Sequence, residues 1–164
     1  MLCARYVSSL GPMLLTCEDQ GLTGIWFDRE PEEERSHPIL DQTKRWLDAY
    51  FAGNAPEMEI PVTLYGTPFQ KQVWQILMTI PYGQTRTYGD IAREMARLTG
   101  KEKMSAQAVG QAVGKNPISI LIPCHRVVGA GGKLTGYASG LDKKIWLLEH
   151  ENVIVGVTSG RLSV

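Results

Sequence analysis

Apolar and polar positions change rhythm several times along the chain, and each change marks an element. MLLTC (13–17) and LTGIWF (22–27) are short apolar runs separated by Glu18, Asp19, Gln20 and Gly21, which predicts two strands joined by a tight turn. REPEEER (29–35) has no apolar period and reads as a solvated charged loop. Asp41 is a candidate N-cap for a helix running to Phe51, with Trp46, Leu47, Tyr50 and Phe51 on one side and Gly53-Asn54 as its stop. Residues 55–68 read as a strand-bearing linker and the best place for a boundary.

Beyond that linker the period turns helical. Phe69, Val73, Trp74, Leu77 and Met78 share one face of a helix that Pro68 can start. PYGQ (81–84) is a turn. Thr87 can cap a helix with an Ile91, Met95, Leu98 stripe, and Gly100 breaks it. Ser105 can cap a second helix ending over 114–116. Two short helices across a basic turn suggest a helix-turn-helix with a long link. In the second helix Ala106, Ala108, Gly110, Ala112 and Gly114 are all small, although an interior glycine costs about 1 kcal/mol against alanine. Such a face permits close approach, either of another helix or of a nucleic-acid backbone. Residues 117–123 then read as a short buried strand ending at Cys124. A glycine-rich loop (129–140) follows, then a closing helix with Ile145, Trp146 and Leu148 inward.

Composition limits what this pattern can serve. At 164 residues the chain makes one average domain, or two small ones sharing a core. The apolar share (43%) and charged share (21%) are ordinary for a globular protein. No run approaches a membrane span, and residues 1–5 lack the organisation of a signal peptide. Three cysteines cannot all pair and form no CxxC, so reduced thiols and a cytoplasmic location are expected. Net charge is zero, yet residues 1–60 carry eleven acids and five bases, and residues 61–164 six acids and twelve bases. That split suggests two functional halves, the basic one facing an anion.

The chemistry concentrates at ILIPCHRVVG (120–129). A thiol attacks as thiolate, and an ordinary cysteine with a pKa of about 8.5 is mostly protonated at neutral pH. A nucleophilic Cys124 therefore needs a base. His125 is adjacent, but neighbours on an extended strand point to opposite faces. The pair can couple only if the chain turns after Pro123 or a water bridges them. Glu149 and Glu151 are candidates to orient the imidazole, and Asn116 could fix the backbone. An inert buried thiol beside an incidental histidine is the competing reading.

PCHRVVG (123–129), with AVGQAVGKNPISILI (108–122) before it and LTGYASGLDKKIWLLEHE (134–151) after it, closely resembles the O6-alkylguanine-DNA alkyltransferases. GTPFQKQVWQILMTIPYGQTRTYGDIA (66–92) is similar to the start of the same DNA-binding domain. The resemblance is strong over 66–151 and looser over 1–60, where LGPMLLTCEDQGL (10–22) suits the family's N-terminal module. It implies an α/β fold: a ribonuclease-H-like α/β module over 1–65, a helical, winged-helix-like DNA-binding domain with a helix-turn-helix over 66–151, and a tail over 152–164.

Carried over position by position, the resemblance makes Cys124 the alkyl acceptor and His125 its base through a water. Glu151 would hold the imidazole and Asn116 brace the turn. Tyr88 would protonate or hydrogen-bond the guanine leaving group. Tyr137, Ala138 and Ser139 would line the alkyl pocket, backbone carbonyls of Cys124 and Val127 would recognise the flipped base, and Arg126 would be structural. The helix carrying Ala106, Gln107, Ala108 and Gly110, with Lys115 beyond it, would enter the minor groove of double-stranded DNA, and the base would be flipped out to reach the thiol. Many relatives place arginine where this chain has Gln107, and some place Ser and Gly at Ala138 and Ser139.

The implied activity is irreversible, stoichiometric transfer of an alkyl group from O6-alkylguanine, and from O4-alkylthymine, to Cys124. A monomer without cofactor or metal is expected, since Cys3 and Cys17 have no histidine at matching spacing for zinc. Two other classes stay open: a binder of alkylated DNA that does not transfer, and a cysteine hydrolase.

Overall fold

The computed structural model describes residues 1–57 and 59–155, in two compact units. One comprises Met1–Tyr65 with Pro117–Leu121; the other comprises Gly66–Asn116 and the chain from Ile122 onward. The expected tail over 152–164 lies largely outside the described residues.

The first unit is built on an antiparallel sheet of β1 (Leu2–Ser8), β2 (Gly11–Glu18) and β3 (Gly21–Phe27), in that order. The two predicted strands are β2 and β3. β1 escapes the pattern because it is an edge strand whose only fully buried side chain is Ala4. The charged loop is not simply solvated. The Arg35 amide donates to the Cys3 carbonyl (2.9 Å), the Arg5 amide donates to Glu34 (2.8 Å), and the Arg5 side chain pairs with Glu30. The segment thus satisfies part of the open edge of β1.

Helix α1 (Pro38–Phe51) begins earlier than the sequence suggests. His37 is the cap, its Nδ1 accepting from the Ile39 amide at 3.1 Å, and Pro38 supplies the helical φ at the first position. Asp41 sits in the first turn instead. Leu47 and Tyr50 are buried against the sheet side, and Trp46 stacks on Tyr50. The linker contributes one bridge rather than a strand: Leu22 pairs with Val62. Gly21 is required there, since a Cβ would lie 2.7 Å from the Val62 carbonyl carbon. The strand expected over 117–123 is likewise a single bridge, Ile118 to Ile25. Ile120, at φ 70°, ends it, and the Leu121 amide donates to Ser119 (2.8 Å) to close a three-residue turn.

The second unit holds α2 (Pro68–Leu77), α3 (Tyr88–Thr99), α4 (Ala106–Gly114) and α5 (Leu141–His150). The caps fall where the sequence places them. Thr87 forms a reciprocal capping box with Asp90, and Thr67, just before Pro68, forms one with Gln70. Ser105 accepts from the Ala108 amide, and Gly100 ends α3 in the left-handed conformation. α3 and α4 form the helix-turn-helix. Val109, Ala112 and Val113 face inward, where the Trp74 indole donates to the Ala112 carbonyl (2.8 Å). A two-residue parallel pair, β4 (Arg86–Thr87) with β5 (Val127–Val128), is too short to leave a sequence period. Two inward assignments need correction. Leu98 is 45% exposed, because α3's inner face passes through Ala92 and Ala96 instead. On α5 the buried residues are Lys144, Leu147 and Leu148, with Ile145 and Trp146 half-buried.

Candidate active site

The chain does turn after Pro123. Pro123 has φ −80° and ψ 65°, and the Cys124 amide donates to the Ile122 carbonyl at 2.7 Å. Cys124–Arg126 then form a single 3-10 turn that lifts Cys124 and His125 out of the alternation of a strand. Asn116 donates from its side chain to the same Ile122 carbonyl (2.7 Å), so one oxygen ties the end of α4 to the approach of the cysteine. Cys124 is 7% exposed, and its Sγ lies 3.7 Å from the Tyr137 hydroxyl. Burial pushes the thiol pKa up, against opposing contributions from Asn116, Tyr137 and the charge of Lys144. The thiol is therefore protonated at rest and needs a base.

Glu151, not Glu149, is the acid that holds His125. His125 is fully buried, with Nε2 2.6 Å from Glu151 Oε2. Arg126 donates from Nε (2.8 Å) and Nη2 (3.0 Å) to the same carboxylate, and from Nη1 to the Ile80 carbonyl (2.7 Å). The Gly83 amide donates to Glu151 Oε1 at 3.1 Å. Burial alone would raise the Glu151 pKa, but the bonds from His125 and Arg126 outweigh it and hold the carboxyl well below the usual range. Burial also lowers the His125 pKa, with Glu151 opposing. The imidazole is neutral, and an ionised carboxylate can only accept, so Nε2 carries the proton. Nδ1 is left with its lone pair, buried and without a hydrogen-bond partner among the described residues. This is a positioned, desolvated acceptor adjacent in chain to a thiol.

One member of the cluster was missed. Lys144 is 0% exposed, its Nζ has no hydrogen-bond partner among the described residues, and it lies 5.9 Å from the Tyr88 ring centre. Burial pulls its pKa down to about 8. The available signal was phase: residues 144, 147, 148 and 151 share one helical face, which puts a lysine on the stripe that carries Glu151.

Tyr88 opens α3 and is half-buried, facing Gly110 of α4. Val127 is buried in β5 and donates its amide to the Cys124 carbonyl. Tyr137, Ala138 and Ser139 sit in the loop before α5, and only Tyr137 is tied to the cysteine among the described residues. On α4, Ala106, Gln107, Gln111, Gly114 and Lys115 are exposed. A Cβ on Gly114 would meet nothing within 4 Å, and one on Gly110 would make only ordinary contact with Tyr88 at 3.8 Å. The protein's own packing therefore requires neither glycine. Beside this face lies a cavity of about 520 Å³ between α4 and the start of α2. Among the described residues no group of three metal-binding side chains occurs, and no helix is long and apolar enough to cross a membrane.

Two family models match. Residues 1–64 match the 6-O-methylguanine DNA methyltransferase ribonuclease-like domain, and residues 68–153 match the DNA-binding domain of the same family. A methylated-DNA–protein-cysteine methyltransferase of Methanosarcina acetivorans is 44% identical, over 92% of this chain and 98% of that one. One from Mycobacterium leprae is 43% identical, over 91% of each. Among solved structures, Mycobacterium tuberculosis OGT in complex with DNA superposes with a TM-score of 0.80 at 40% identity, covering 92% of both chains.

Proposed function

The chain belongs to the 6-O-methylguanine DNA methyltransferase family, and from that membership we propose that it repairs DNA by moving an alkyl group from guanine O6, or thymine O4, onto Cys124. The observation that carries the site assignment is the unpartnered Nδ1 of neutral His125, next in chain to the buried thiol on the same 3-10 turn, with Nε2 held by Glu151. In this reading a water between Sγ and Nδ1 passes the thiol proton to the imidazole, and the adjacent ionised Glu151 stabilises the imidazolium. The thiolate attacks the alkyl carbon, the carbon–oxygen bond breaks, and its electron pair leaves on the guanine. Tyr88 supplies a proton to that leaving group. Lys144 lowers the cost of the transient thiolate by its charge. Asn116 and Arg126 hold the turn, and Tyr137, Ala138 and Ser139 flank the alkyl group with the carbonyls of Cys124 and Val127 on the base. The product is a thioether, which offers no carbonyl for water to attack, so the acceptor is consumed.

The outer face of α4 enters the minor groove. A Cβ on Gly114 would meet no protein neighbour, and this unused space supports close approach of a DNA backbone. Gln107 occupies the gap left by the flipped base, and Lys115 meets phosphate. The protein acts as a cytoplasmic monomer. The test is a duplex carrying alkyl-labelled O6-alkylguanine. Label on the protein supports this reading; released label would mean a hydrolase, and binding without label movement a non-transferring reader.

A further inference from the structure

Gln111 was not among the residues expected to touch DNA, yet it shares the open face of α4 with Gln107, one turn along. Both side chains are exposed, and neither makes a hydrogen bond to the protein among the described residues. Gln111 borders the cavity of about 520 Å³, beside Ala108 and Gly114, and the absence of bulk at those two positions lets the helix axis sink toward whatever it meets. Four residues of helix advance about 6 Å, close to two base-pair steps of about 3.4 Å. A glutamine amide has one acceptor and one donor group, and the minor-groove edge of guanine presents the complement, the N2 amino donor beside the N3 acceptor. Adenine, thymine and cytosine present acceptors alone there, so they can match only half of the amide. The other polar group at this end of α4, Lys115, is cationic and suits phosphate, which carries no sequence information.

We propose that Gln111 is a second minor-groove reader, selecting a guanine within two base pairs of the lesion. This rests on the minor-groove docking of α4 given above. The experiment measures single-turnover transfer to the full-length protein from duplexes in which each guanine up to three positions either side of the lesion is replaced by inosine. Inosine lacks only the N2 amino group, so the major-groove edge is unchanged. At one position within two steps of the lesion, inosine should slow the wild-type protein about fivefold under subsaturating conditions, the worth of one neutral hydrogen bond. Gln111→Ala, at an exposed helical position, should be indifferent to that replacement and should accept alkyl from free O6-alkylguanine base at the wild-type rate. A wild-type protein indifferent to inosine everywhere would overturn the proposal, as would a variant that keeps the wild-type sensitivity or loses reaction with the free base. Sensitivity to 7-deazaguanine, which alters only the major-groove edge, in place of inosine would overturn the groove assignment as well.

Discussion

The cluster around Glu151 and the outer face of α4 are opposites within one unit. Around Glu151 the carboxylate takes bonds from His125, Arg126 and the Gly83 amide, and its environment is closed. On α4 the glutamine amides are unspent, Gly114 at its end faces empty space, and the helix accepts one interior glycine, Gly110, of poor propensity. A region whose hydrogen bonds converge on one buried carboxylate is built to hold a geometry. One that leaves its polar groups and its space unused is built for a partner. The two should therefore respond to substitution in opposite ways.

The largest effect is expected where the closed cluster is opened. Glu151→Gln leaves Arg126 buried without its counter-charge and should cost about 3–5 kcal/mol of stability, together with most of the transfer activity. Chemical denaturation followed by single-turnover assay reads both. The pH dependence follows in sign. Glu151 and His125 both have pKa values lowered by folding, so the unfolded chain binds more protons in acid. The contribution of these two groups is complete above the ordinary histidine value, then falls as pH drops below about 6.5 and on through the carboxylate range. The Glu151→Gln protein should show a flatter acid limb.

Lys144 is an unsatisfied charge inside the closed region. Lys144→Met removes a desolvated, unpaired ammonium and should raise stability at neutral pH by about 1–3 kcal/mol. Transfer should meanwhile slow by about tenfold, since the thiolate loses a nearby cation. Stability and rate moving together would mean that the lysine is simply part of the core.

On the open face the signs invert at smaller size. Gly110→Ala should stabilise the protein by about 0.5–1 kcal/mol through helix propensity, its Cβ meeting Tyr88 at ordinary distance. It should nonetheless weaken binding to duplex DNA, read by titration, while leaving reaction with free alkylguanine base intact. Equal loss on both substrates would place the glycine in the pocket.

The smallest effect is electrostatic. Of the bases near α3 and α4, Arg93 and Arg97 are paired with Asp90 and Glu94, whereas Lys101, Lys103 and Lys115 are exposed and unpaired among the described residues. The logarithm of the binding constant should thus fall against the logarithm of salt concentration with a slope of about −3, one counterion per free lysine. A slope near zero would remove phosphate contact from the account, and one near −5 would mean that the arginine pairs open on DNA.

What the sequence made legible was whatever is written locally. Thr87 and Ser105 are caps because a short hydroxyl before a helical period has one economical use, and Cys124 beside His125 invites a relay. What stayed hidden depends on tertiary neighbours. β1 lacks alternation because only one of its side chains is fully buried. Ile120 belongs to a type that favours extended backbone, yet it sits at φ 70° where the segment must reverse. The turn after Pro123, on which any coupling of His125 to Cys124 depends, stayed hidden because the apolar run before it reads as a strand. Lys144 drew no reading because lysine is almost never fully buried, although its helical phase pointed inward.

If Cys124 is the acceptor, a single transfer consumes it. Intact-protein mass spectrometry after reaction with excess duplex containing O6-methylguanine, followed by peptide mapping, reads it directly. The expected result is one added methyl group per molecule, located on Cys124, no further reaction with fresh duplex, and no adduct in the Cys124→Ala protein. Repeated turnover by one molecule, or a methyl group on Cys3 or Cys17, would contradict it.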